Sequence, residues 1–164
     1  MTDQPAINKD AERKLRKARR SGARLAAVQA LYQLEQTGQS GRSVIVDFLE
    51  DRLGLDDEGR PIEEADPDLF KDVVNGVVEH QKDINAAIIK RLADGWKIER
   101  IDSTSRAILR AAVFELMHRH DLPPQIILDE YVSIAHAFFS DAEPKFINGI
   151  LENVRSDVRT AEAG

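Results

Sequence analysis

Asp66-Pro67 is followed by Leu69, Phe70, Val73, Val74, Val77 and Val78, an almost unbroken apolar stripe at three- and four-residue intervals. This stripe constrains the fold more than any other feature of the chain. Residues spaced this way share one face of an α-helix, whereas a strand would scatter them over both of its faces. Asp66 offers an N-cap acceptor, and Pro67 suits the first helical position, where no amide hydrogen is needed. Period-two alternation is absent from the rest of the chain, and helical stripes recur, so the predicted fold class is all-α.

The other stripes set the predicted elements. Residues 1–20 lack a core-facing pattern and are expected to form a flexible basic arm, mobile until it binds. Ser21 is then the predicted N-cap of a helix carrying Leu25, Val28 and Tyr32, closed by Gly38 and Gly41. Ser43 is predicted to cap a short helix with Val44, Ile45, Phe48 and Leu49 on one face, stopped by Gly54. Gly76, weaker than alanine in a helix by about 1 kcal/mol, points to a close helix contact. Asp83 is predicted to cap a continuation that carries Ile84, Ile88, Ile89 and Leu92. Asp102 or Ser103 opens the most apolar helix, apolar on several sides and hence central. Pro123-Pro124 starts the next, with Ile127, Tyr131, Ile134, Ala135 and Phe138 buried, and Glu143-Pro144 starts the last. The expectation is seven helices, or six if 69–93 is continuous, with 21–164 forming one domain behind the arm at 1–20.

The chain has 164 residues, no cysteine and a net charge of −6. Disulfides, thiol catalysis and cysteine-ligated metals are excluded. The start has no apolar run of a secretory signal, and no segment approaches the ~20 apolar residues that span a bilayer, so the expected location is the cytoplasm, with no membrane partner. No phosphate-binding loop, dinucleotide fingerprint, nucleophile elbow or zinc-protease pattern occurs. Placing Gly59 at the turn position of a calcium loop puts Gly54 where an aspartate is required, so that reading fails. His80, His118 and His120 are expected at helix ends rather than on a metal. Ser103, Thr104 and Ser105 read as capping residues. Neither enzyme chemistry nor a cofactor is expected.

Charge is distributed unevenly. Lys9 to Arg24 holds eight basic and two acidic residues, a local +6, while Asp47 to Asp68 holds ten acidic and two basic, a local −8. A local potential acts over about a Debye length, ~8 Å at physiological salt, so the basic stretch can attract a polyanion despite the net charge. Arginine suits RNA because its planar guanidinium forks onto phosphates and stacks on bases. Charge alone leaves open a solvated tail or a patch on acidic lipid. Beside the arm, Gln29 and Tyr32 could offer polar and stacking contacts, or Tyr32 could be core with its hydroxyl near the surface. In EPKFINGIL, Lys145 and the exposed amides of a helix start suit a phosphate, and Phe146 could stack on an unpaired base or pack in the core. Gly149 could simply permit helix approach.

Three segments, ARLAAVQALYQLEQTG, IDSTSRAILRAAVFEL and DLPPQIILDEYVSIAHAFFSDAEPKFINGILENV, resemble the NusB family in order and spacing, over roughly residues 19 to 156. The resemblance implies two perpendicular helical sub-bundles of three helices each. It implies binding of the single-stranded boxA element of nascent ribosomal RNA together with NusE, a small-subunit ribosomal protein, within the RNA polymerase antitermination complex. The family's basic motif falls on Arg19, Arg20 and Arg24, its tyrosine on Tyr32, and its late Lys-Phe-x-Asn-Gly on Lys145, Phe146, Asn148 and Gly149. The chain departs from the pattern where Ser21-Gly22-Ala23 interrupts the basic run, where extra basic residues lie at Arg13 to Lys17, where Ser105 replaces a glutamate, and at Pro144. Both monomers and homodimers occur in the family. The competing readings are a helical protein-interaction module without specific RNA binding, and the N-terminal module of a ribosomal RNA cytosine methyltransferase. The chain ends at Gly164 without a Gly-rich cofactor segment, which argues against the latter.

Overall fold

The computed structural model of the protein describes residues 4–51 and 65–159. Among them are seven α-helices, one 3-10 turn and no strand: α1 (Gln4–Thr37), α2 (Gly41–Asp51), α3 (Pro67–Glu79), α4 (Gln81–Lys90), the turn Ile98–Arg100, α5 (Ser103–His118), α6 (Pro124–Phe138) and α7 (Ala142–Val158). The expected stop at Gly54 and most of the acidic stretch lie outside the described residues.

The first helix corrects a boundary. Ser21 is not an N-cap but lies inside α1, and the basic stretch is the first part of that helix rather than a separate arm in front of it. The reason is local. Between Ala6 and Arg20 there is no proline or glycine, and Ala, Leu, Lys, Arg and Glu dominate, all strong helix formers. The Ser21 hydroxyl that would have capped a helix instead donates to Glu130 at 2.9 and 3.0 Å. With 34 residues α1 is about 51 Å long, and Gly38, at φ 73°, ends it in the left-handed region that glycine tolerates.

Other starts follow short-range chemistry. Ser40 rather than Ser43 caps α2, its hydroxyl accepting from the Ser43 amide at 3.1 Å. Asp66 caps α3, accepting from the amides of Asp68 at 3.0 Å and Leu69 at 3.2 Å. Asp102 does the same for α5 through Thr104 and Ser105, at 3.0 and 3.2 Å. The run through 69–93 is broken at His80, which lies between α3 and α4, so Asp83 sits in the first turn of α4 and does not cap it. The α7 helix begins at Ala142, just before the predicted Glu143-Pro144 start.

The first lobe is α1, α2 and α3; the second is α4, α6 and α7 gathered on α5, which also packs against α1 and α3. The central position of α5 explains its burial from Ser105 to Glu115 on nearly every side. Phe48 of α2 stacks on Phe70 of α3, 5.7 Å between centroids. Gly76 lets α3 approach α5, because a Cβ there would run into the Phe114 ring. Val44, Ile45, Leu116, Ile147, Ile150 and Leu151 are core, whereas Leu49, Val78 and Ile89 are exposed. Phe138, expected inside, is 46% exposed, because it is the last residue of α6 and projects beyond the neighbours that cover Ile134 and Ala135.

The C-terminal end of α5 is closed from a distance. The buried Arg159 guanidinium donates to the carbonyls of Leu116 at 2.6 Å, Arg119 at 2.7 Å and Leu122 at 3.1 Å. A cation at the negative end of a helix satisfies carbonyls that lack an intrahelical partner.

Candidate nucleic-acid interface

The N-terminal half of α1 carries Arg13, Lys14, Arg16, Lys17, Arg19 and Arg20, all exposed. None of the six forms an ion pair among the described residues. Several arginines of the bundle are neutralised: Arg91 pairs with Asp157, Arg106 and Arg110 with Glu35, and Arg119 with Asp121. The α1 cations stand apart by their density, since all six fall between Arg13 and Arg20 on one stretch of helix.

Two faces of this ridge differ. The chain entering α3 crosses α1 where the Asp66 amide donates to the Arg19 carbonyl at 3.0 Å. There Arg16, Arg19 and Arg20 border an open hollow against Ala65–Pro67. On the other face Arg13, Lys17 and Arg20 border a groove against α6.

Arg24 does not belong to the ridge, and its expected role as a phosphate ligand is corrected. It is 1% exposed. Its Nε donates to Glu115 Oε2 at 2.8 Å and its Nη2 to Oε1 at 2.9 Å, a bidentate pair. The Tyr131 hydroxyl donates to the same Glu115 Oε2 at 2.5 Å, and Glu130 lies 3.6 Å from Arg24 Nη1. Burial disfavours the Arg24 charge, but the bond to Glu115 and the surrounding carboxylates outweigh it, and its pKa is raised. Burial, and next the Glu115 charge, push the Tyr131 phenol well above its ordinary range, so it stays a donor. A phosphate could engage Arg24 only after breaking this network.

The remaining candidates lie apart from the ridge. Tyr32 is 42% exposed, on the same side of α1 as Gln29, which is half-buried. Tyr32 is 12 residues beyond Arg20, about 18 Å along the helix. Phe146 is 37% exposed and is therefore not a core residue, and Lys145 and Asn148 beside it are exposed. A Cβ at Gly149 would meet no atom within 4 Å, so that glycine does not serve close helix approach. The contacts Gln36–Ser103 (3.5 Å) and Ser105–Glu143 (2.7 Å) tie the end of α1 and the start of α7 to the first turn of α5. Arg19 and Arg20 form one cluster with Arg13, Arg16 and Lys17, while Tyr32, Lys145, Phe146 and Asn148 lie toward the other end of α1.

His80 and His118 stack at 4.1 Å beside Phe114, at the ends of α3 and α5. No group of three or more residues suited to holding a metal ion occurs among the described residues. None of the described helices is long and apolar enough to cross a membrane.

Fold and site together define an all-α, two-lobed domain that concentrates positive charge, unpaired among the described residues, on the exposed first part of α1. Residues 21–156 match the NusB family, and the chain belongs to that family. It is 57% identical over 143 residues to the transcription antitermination protein NusB of Hyphomonas neptunium, covering 87% of this chain and 93% of that protein. It is 51% identical over 140 residues to the protein of the same name from Caulobacter vibrioides, covering 85% and 94%. Among solved structures, T. maritima NusB superimposes with a TM-score of 0.70 at 25% identity, covering 87% of this chain and 94% of that one. A chain from the crystal structure of NusB and NusE in complex with double-stranded RNA gives the same TM-score of 0.70 at 23% identity, over 84% and 96%, which speaks for the shared fold.

Proposed function

We propose that this protein is a non-catalytic RNA-binding transcription antitermination factor. It grips boxA-type single-stranded RNA together with NusE, joins the RNA polymerase antitermination complex in the cytoplasm, and promotes ribosomal RNA transcription. The observation that carries this reading is the set of six exposed cations on α1 without a carboxylate partner among the described residues. Unpaired cations on one helix suit a flexible polyanion, because binding releases counterions and breaks no internal ion pair. The names of the curated relatives and the solved assembly of NusB with NusE and RNA point the same way. Tyr32 and Phe146 supply exposed rings for stacking, and Gln29, Lys145 and Asn148 supply polar contacts farther along the strand. In this reading the first part of α1 supplies the basic segment of the domain, and no cofactor is required.

The test is a titration of labelled boxA RNA and of a scrambled strand at several salt concentrations. Affinity is expected to fall with salt, with a log–log slope of about −0.7 for each phosphate neutralised on a single strand. BoxA is expected to bind more tightly than the scrambled strand. A salt-independent affinity, or equal affinity for both strands, would favour a helical protein-interaction module without specific RNA binding.

A further inference from the structure

The α1–α6 groove follows from the phase of α1. Arg24, Val28 and Leu31 are buried and face the bundle. Stepping back from Arg24 by four, three and four residues reaches Arg20, Lys17 and Arg13, so these cations continue the core-facing stripe past the end of the core. They point at α6 rather than away from the domain, and line a groove of about 620 Å³. That volume lies in the range of small-molecule sites, roughly 300–1,000 Å³.

The opposite wall has a different character. Ile126 of α6 is 46% exposed and, with Leu122, gives the groove an apolar surface. Asp129 lies one turn beyond Ile126 and is exposed. Its neighbour Glu130 is committed to Ser21 and Arg24. Asp129 is not: its Oδ1 accepts from the neutral Gln125 amide at 2.8 Å, and it has no ion pair among the described residues. Glu130 thus ties the two helices together at one end of the groove, while Arg13, Lys17 and Arg20 face Asp129 across it without an ion pair among the described residues.

From this arrangement we propose that the groove receives an unpaired base of the bound RNA, with guanine as the preferred base and Asp129 as the specificity-determining residue. The inference rests on the RNA-binding reading above. A site for phosphate alone would gain nothing from Asp129, which repels it; an acidic peptide would meet the same repulsion, and a basic one would be repelled by Arg13, Lys17 and Arg20. A nucleotide meets both walls: its phosphate lies on the cations, its base lies against Ile126, and the base edge presents donors to the carboxylate. An ionised carboxylate only accepts hydrogen bonds, through two oxygens side by side. On its Watson–Crick edge guanine offers adjacent imino and amino donors that match them. Cytosine and adenine pair one amino group with an acceptor, and uracil holds one imino donor between two carbonyls.

The experiment titrates the full chain with three labelled strands: oligouridine, the same strand with one central guanosine, and the same with inosine, which lacks the amino group. The guanosine strand is expected to bind about 5- to 150-fold more tightly than oligouridine, the scale of one base-edge contact pair, with inosine between them. Asp129→Ala should abolish that preference and leave oligouridine affinity unchanged or slightly improved. Equal binding of the three strands by the unchanged protein, or a guanosine preference that survives in Asp129→Ala, would overturn the base-reading groove while leaving the cationic ridge standing. Loss of NusE binding in Asp129→Ala with the preference intact would assign the groove to protein and also overturn the proposal. No binding of any strand would overturn the RNA-binding reading, and the groove with it.

Discussion

Glu115→Ala is expected to destabilise the domain by about 3–5 kcal/mol, the scale for removing one partner of a buried ion pair. Glu115 is fully buried and takes two hydrogen bonds from Arg24 and one from Tyr131. Removing its carboxylate leaves a guanidinium 1% exposed and a buried phenol with nothing to receive their hydrogens. Neither can turn to water, because α1, α5 and α6 close around them. Glu130 offers Arg24 a second carboxylate at 3.6 Å, but it already receives Ser21, and its geometry is single-pronged. A loss of this size is a large fraction of the ~5–15 kcal/mol that holds a typical domain together. Urea unfolding followed by circular dichroism measures it; a midpoint within error of the unchanged protein would contradict the network. Arg24→Ala should be destabilising for the mirror reason, an unpaired carboxylate left inside.

Replacing Arg16, Arg19 and Arg20 together with alanine is expected to leave that midpoint nearly unchanged and to lower RNA affinity roughly a hundredfold, at about 1 kcal/mol for each exposed charged contact. The three are exposed and have no ion pair among the described residues, so the fold is not expected to depend on their charge. The salt slope should flatten by about 2, from three lost phosphates at ~0.7 each. The same titration that measures affinity reports the slope, which distinguishes lost phosphate contacts from a misfolded protein. An undiminished affinity would show that the ridge is not where RNA lies. Together the variants separate two arginines of one basic motif: loss of Arg24 is expected to act on the fold, and loss of Arg20 on RNA affinity.

The helices were legible because their signals are local. Asp66-Pro67, Asp102 and Pro123-Pro124 all mark true starts, and the Leu69–Val77 stripe is buried. The start of α1 was misplaced because Ser21 satisfies the sequence rule for a cap, while its actual partner, Glu130, is 109 residues away. The family's basic motif groups Arg24 with Arg19 and Arg20 as expected RNA ligands. Its phase held the contrary signal: it sits four residues before Val28 and seven before Leu31, on the buried stripe. What periodicity could not supply was the identity of its partners, because Glu115 and Tyr131 come from α5 and α6. Phe138 shows the opposite limit, since helical phase places it inward but cannot show that the bundle ends before it. The α1–α6 groove was invisible for the same reason as the Arg24 network: its two walls are more than a hundred residues apart in the chain.

The adaptor role is tested most directly by coupling. If this protein and NusE hold the same strand, each must tighten the other's binding to RNA by the same factor, because linkage is reciprocal. Labelled boxA RNA titrated with the full chain, with and without saturating NusE, should show tighter binding in the presence of NusE by about 5- to 150-fold, equivalent to ~1–3 kcal/mol. Equal affinities in the two titrations, with no ternary complex on a sizing column, would contradict the proposed function even with the fold intact.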